Sequence, residues 1–129
     1  MCSRVLVADD DAGQREEMSE FLRNAGFDVI TADDGFHALE QIAAHAPRVI
    51  LLDVNMPGWD GVRVAEAARN LDHRAVIILM TADVDALKYA IESECGAVGA
   101  FAKPVQLHKL LDFLDSVVGR ASVDALRVG

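Results

Sequence analysis

Val49-Ile50-Leu51-Leu52-Asp53-Val54-Asn55-Met56-Pro57-Gly58-Trp59-Asp60-Gly61 decides how the rest of this chain is read. Four consecutive aliphatic residues describe a strand buried on both faces, and the run ends on a carboxylate followed by Pro57, Gly58 and Gly61, which force a loop. Asp53 is therefore delivered at the C-terminal end of a buried strand. In open parallel sheets that edge is where ligands bind, because the loops there form a crevice faced by helix N-termini. Asp53 is the candidate reacting residue.

Working outward, the pattern on either side alternates between strand and helix. Val5-Leu6-Val7-Ala8 is a buried strand running into Asp9-Asp10-Asp11, and Met18, Phe21, Leu22 and Ala25 form an apolar stripe that predicts a helix over Ala12 to Ala25, stopped by Gly26. Phe27 to Ile30 reads as a short strand. Ala38, Leu39, Ile42 and Ala46 predict a helix over Gly35 to His45, closed by Pro47. After Gly61 come an Ala-rich helix over Val62 to Leu71 and an all-apolar strand over Ala75 to Met80, ending on Thr81. A more polar helix over Val84 to Glu94 and a Gly-interrupted strand over Gly96 to Ala102 follow, the strand leading into Lys103-Pro104. Leu107, Leu110, Leu111, Leu114, Val117 and Val118 form the strongest stripe, that of the last helix. Five strand patterns alternating with five helix patterns through short connections imply right-handed crossovers: a doubly wound α/β domain with a parallel sheet covered on both faces.

On that topology, Asp9 and Asp10, Asp53, Thr81 and Lys103 stand at four strand ends along one sheet edge. A lone carboxylate there is commonly a helix cap, and Asp11 is open to that reading. For Asp9, Asp10 and Asp53 together it fails, since converging carboxylates repel by about 4 kcal/mol per close pair at an effective dielectric near 20. A hard divalent cation offsets this: Mg²⁺ prefers oxygen ligands and is usually held by one or two carboxylates plus phosphate oxygens. Lys103 adds a mobile positive charge and Thr81 a hydroxyl donor, the positioning groups that phosphoryl transfer uses.

Composition narrows the alternatives. The chain has 129 residues, enough for one domain and its own core, with the last recognisable helix ending near residue 119 and residues 120–129 reading as a tail or linker stub. A formal net charge of −9 opposes direct contact with nucleic acid or anionic lipid, and no apolar run approaches the roughly 20 residues of a membrane span. Cys2 and Cys95 lie far apart with no metal-ligand spacing, as reduced thiols would, and the opening residues lack a signal-peptide pattern, so a cytoplasmic location is expected.

Val7-Ala8-Asp9-Asp10, the Asp53 to Gly61 segment, Thr81-Ala82 and Lys103-Pro104, in that order, resemble the receiver domain of two-component response regulators from Arg4 to Val118. The resemblance implies a flavodoxin-like fold, its five parallel strands in the order 2-1-3-4-5 with five helices. It further implies a signalling domain rather than a metabolic enzyme, in which Asp53 accepts phosphate from the phosphohistidine of a histidine kinase or histidine phosphotransfer protein. Mg²⁺ would be ligated by Asp10, by Asp9 through water, by Asp53 and by the backbone carbonyl of Asn55. Thr81 and Lys103 would hold the phosphoryl oxygens, the Lys103-Pro104 bond would be cis, and an output domain or protein partner would read the result. One position departs from the pattern: receivers carry Tyr or Phe three residues before the lysine, and here that residue is Ala100. Phe101 follows, but strand alternation points it to the opposite face.

Two other readings compete. A haloacid-dehalogenase-like phosphatase also combines an Asp nucleophile, Mg²⁺, Thr and Lys, but its nucleophile comes first and its acidic pair last, the reverse of Asp9-Asp10 before Asp53. A flavin-binding domain lacks support from a Gly-rich loop after the first strand, and one Trp and one Tyr offer little to stack on a flavin.

Overall fold

A computed structural model describes residues 3–72 and 74–118. In chain order the elements are β1 (Arg4–Ala8), α1 (Ala12–Asn24), β2 (Asp28–Ala32), α2 (Gly35–His45), β3 (Val49–Asp53) and α3 (Gly61–Leu71). Then follow β4 (Val76–Thr81), α4 (Val84–Glu92), β5 (Gly99–Ala102) and α5 (Leu107–Val118). The strands form one parallel sheet in the order β2-β1-β3-β4-β5, as expected from the sequence.

The two-residue period of the strands divides the core into two layers. Leu6, Ile50, Leu52, Ile77 and Leu79 face α2, α3 and α4, whereas Val5, Val7, Leu51, Ile78 and Met80 face α1 and α5. Burying each such side chain contributes roughly 2 kcal/mol, so the central strands anchor the sheet edge on which the acidic residues stand. Leu110 and Leu114 of α5 are fully buried, in keeping with its strong apolar stripe.

Four aspartates start four helices. Asp11, Asp34, Asp60 and Asp83 are the N-caps of α1, α2, α3 and α4, their side chains accepting hydrogen bonds from backbone N–H groups of the first turn. Asp11 is thus a cap, the reading left open for it above.

Boundaries shifted where pairing or backbone conformation overrode local pattern. β2 begins one residue later than expected and runs on to Ala32, because its register with β1 continues to Ala8 opposite Ala32; Phe27 is buried at the strand's entry instead. α4 stops at Glu92 rather than Glu94, since Glu94 takes a positive φ of 48°. β5 starts at Gly99, not Gly96: Gly96 is left-handed at φ 94°, and pairing with β4 begins at Ile78 opposite Gly99. The expected domain edge at residue 119 and the tail over residues 120–129 lie outside the described residues.

Gly61 fixes the loop that follows Asp53. A Cβ on this residue would lie 2.5 Å from the Asp53 carbonyl oxygen and 2.8 Å from Val54 Cα, so α3 starts pressed against the end of β3. Gly61→Ala is therefore expected to destabilise the fold by about 1–3 kcal/mol, as overpacking against backbone does. Urea unfolding measures it, and a variant as stable as the wild type would contradict the close approach.

Candidate functional site

β1, β3, β4 and β5 deliver Asp9, Asp53, Thr81 and Lys103 to one edge of the sheet, as the strand pattern required. Asp9, Asp53 and Thr81 are only 2, 6 and 1% exposed, so their polar groups depend on protein partners. Asp10 is exposed beside them. Carboxylate oxygens of Asp9, Asp10 and Asp53 lie within 4.8 Å of one another, the only such metal-sized cluster of acids, histidines or cysteines among the described residues.

Lys103 bridges two members of this cluster, Asp9 and Asp53. Its Nζ donates to Asp9 Oδ2 at 2.7 Å and to Asp53 Oδ2 at 3.0 Å. Buried charge-assisted bonds of this kind hold an ammonium firmly. The remaining carboxylate oxygens are held by backbone: Asp9 Oδ1 accepts from the Asp11 N–H at 2.9 Å and Asp53 Oδ1 from the Asn55 N–H at 3.0 Å. The Lys103-Pro104 peptide is cis, as the resemblance implied.

One ammonium shared by two acids leaves a residual negative field. Burial, reinforced by the charge of Asp9, pushes the Asp53 carboxyl above its ordinary pKa despite the bonds from Lys103 and the Asn55 N–H. For Lys103 burial acts the other way, but its bonds to Asp9 and Asp53 outweigh it and hold the ammonium above its ordinary value. The site thus keeps Lys103 charged and makes the Asp53 carboxylate more basic than an exposed one.

Thr81 Oγ1 accepts from the Asp83 N–H and from Asn55 Nδ2, each at 3.1 Å. Asn55 therefore touches both functional strands: its backbone N–H holds Asp53 and its side chain holds Thr81. Ala100 is partly buried toward α2, α3 and α4, while Phe101 turns to the other face and meets Phe113 edge-on with ring centroids 5.4 Å apart.

Two contacts were not evident in the sequence. Gln14 Oε1, in the first turn of α1, accepts a third bond from Lys103 Nζ at 2.7 Å, and Arg15 Nη1 donates to the Asp9 carbonyl at 2.8 Å. Their place on the helix facing the crevice was readable; the reach of long side chains across it was not. Beside Lys103, a cleft of about 330 Å³ opens between α1 and the β5–α5 connection, with Gln14, Met18, Pro104 and Leu107 in its walls.

A doubly wound sheet with an acidic crevice, one central lysine and a hydroxyl at successive strand ends defines a phosphoacceptor class of domain. The response regulator receiver domain family model matches residues 5–115, and the chain belongs to that family. It is 30% identical over 112 residues to sporulation initiation phosphotransferase F of Bacillus subtilis, covering 87% of this chain and 90% of that protein. It is 35% identical over 117 residues to the transcriptional regulatory protein PrrA of Mycobacterium tuberculosis, covering 91% of this chain but only 50% of that one. Among solved structures, response regulator TrrA from Thermotoga maritima, in complex with Mg²⁺-BeF, superposes with a TM-score of 0.80 at 29% identity, covering 89% of this chain and 98% of that one. The domain is thus a phosphoacceptor of two-component signalling, and the haloacid-dehalogenase alternative finds no support. No helix among the described residues is long and apolar enough to cross a membrane.

Proposed function

We propose that Asp53 is the phosphoacceptor and that its donor is the phosphohistidine of a histidine kinase or histidine phosphotransfer protein. The observation that carries this is a cluster of three carboxylates at the sheet edge, two of which, Asp9 and Asp53, share the Lys103 ammonium. In the transfer an Asp53 carboxylate oxygen forms a bond to phosphorus as the phosphorus–nitrogen bond to the donor imidazole breaks. The imidazole nitrogen leaves with the electron pair.

The donor set fits Mg²⁺: it is all oxygen, and only two of its three acids, Asp9 and Asp53, bond to Lys103. Asp9, Asp10, Asp53 and the backbone carbonyl of Asn55 are the residues that would hold it, and TrrA's complex with Mg²⁺-BeF supports the assignment. When bound, the ion neutralises charge on the crevice and on the incoming phosphoryl oxygens. The chain's own residues orient the nucleophile: the Asn55 N–H fixes one Asp53 oxygen and Lys103 the other. Once the phosphoryl group is in place, Lys103 and the Thr81 hydroxyl are the donors for its oxygens.

Thr81 is also the switch. With Ala100 in place of an aromatic, the signal leaves through the hydroxyl, whose movement toward phosphate pulls on the Asp83 N–H. Asp83 caps α4, so that helix start is coupled directly to the site. A protein partner or output domain would read the change at α4, with the histidine-kinase pathway placing the domain in the cytoplasm.

Two linked measurements test the reading. Acetyl phosphate should add one phosphoryl group to the intact mass with Mg²⁺ and none with chelator. Mg²⁺ should raise the melting temperature, since binding stabilises the fold by about 1.4 kcal/mol at ten times Kd, and Asp10→Ala should lose that response. A full Mg²⁺ shift in Asp10→Ala would remove Asp10 from the ligand set.

A further inference from the structure

We infer that Gln14 is a positioning residue for Lys103, a role that rests on the phosphoacceptor reading of the site. An ammonium has three N–H bonds, and here all three find acceptors: Asp9 Oδ2 at 2.7 Å, Asp53 Oδ2 at 3.0 Å and Gln14 Oε1 at 2.7 Å. Lysine ends a flexible four-carbon stem, so two acceptors on neighbouring strands leave its head free to tilt about the line between them. Gln14 supplies the third point, from a different element, and closes the triangle.

Phosphorylation gives this third point its use. When Asp53 becomes an acyl phosphate, its carboxylate charge is lost and the bond from Lys103 passes to a phosphoryl oxygen. Asp9 and Gln14 are the partners that remain. Asp9 is anionic and buried, and alone it would draw the ammonium toward β1. The Gln14 amide oxygen holds Nζ on the α1 side, which keeps the third proton aimed at Asp53.

A neutral acceptor suits the place. The crevice already holds three clustered carboxylates, and a fourth anion would repel the phosphoryl donor. Gln14 offers a carbonyl oxygen without adding charge. It also forms part of the wall of the 330 Å³ cleft beside Lys103.

Gln14→Leu removes the acceptor and keeps helix propensity, while the backbone N–H that Asp11 caps is untouched. Its melting temperature should stay within about 2–3 °C of wild type, as exposed helix substitutions of like propensity do. With saturating Mg²⁺, its maximal rate of phosphorylation by acetyl phosphate should fall about three- to tenfold at an unchanged half-saturating concentration of donor. The nitrogen-detected NMR signal of the Lys103 ammonium, assigned by its absence from Lys103→Met, should broaden as the protons exchange with water. Gln14→Glu restores an acceptor, so the signal should return and the maximal rate recover to within about twofold, while the added charge raises the half-saturating concentration. A wild-type rate and a sharp Lys103 signal in Gln14→Leu would overturn the role, as would a Gln14→Glu protein whose signal stays broad. Asp53→Asn run alongside separates the two readings: unlabelled, it leaves the site assignment standing whatever Gln14 does; labelled, it removes that assignment and this inference together.

Discussion

Asp53→Asn is expected to take up no phosphoryl group from acetyl phosphate and Mg²⁺ while folding at least as well as the wild type. Both halves follow from the position of Asp53, buried at the end of β3 with one oxygen on the Asn55 N–H and the other on Lys103. The amide keeps that outline, but its single oxygen can accept from only one of these two donors, and it has no anionic oxygen to attack phosphorus. Stability should not fall, because that lost hydrogen bond is offset: burial lifts the Asp53 carboxyl above its ordinary pKa, so its ionised form is less favourable in the fold than in the open chain. The sign follows from linkage: a raised folded-state pKa gives stability that is fully present below the ordinary carboxylate range and is lost as pH rises through the folded value. At neutral pH the wild type carries that penalty and the Asn variant does not. Intact mass and melting between acid and neutral pH check the pair, the variant showing the flatter profile. Stoichiometric labelling of Asp53→Asn would place the acceptor elsewhere.

The sheet and most of this site were legible because they depend on burial and order, which sequence records directly. Val49 to Leu52 is apolar throughout because both faces are covered, and Asp53 had to stand where the cover ends. Period-two alternation put Ala100 and Phe101 on opposite faces, as found. Less legible was whatever depends on backbone conformation or side-chain reach. Glu94 and Gly96 at positive φ shortened α4 and β5, against local patterns that ran on through both. The Asn55 Nδ2 bond to Thr81 and the Gln14 bond to Lys103 join residues 26 and 89 positions apart, and each is fixed by rotamers that no periodicity encodes.

Removing the central cation should have the largest effect on stability. Lys103→Met keeps an unbranched stem but leaves the Asp9 and Asp53 side chains, only 3 and 8% exposed, facing each other without a positive partner. Breaking a buried ion pair from one side typically costs about 3–5 kcal/mol, far more than the net value of the intact pair, because the remaining charge stays desolvated. For a domain of this size that lowers the metal-free melting temperature by roughly 10–20 °C at neutral pH. Two conditions should restore much of the loss. Mg²⁺ supplies the missing charge, so its stabilising shift should exceed that of the wild type. Acid should do the same: without the Lys103 hydrogen bond and charge, both of which lower the Asp53 pKa, burial raises it further, and stability returns as pH falls through that value. Metal-free Lys103→Met melting within a few degrees of wild type at neutral pH, with no gain on acidification, would show that the carboxylates do not depend on this ammonium. The expected pattern, loss on removal and recovery by either metal or proton, would instead identify negative charge at the β1 and β3 ends as the quantity that Lys103, Mg²⁺ and the phosphoryl group regulate among themselves.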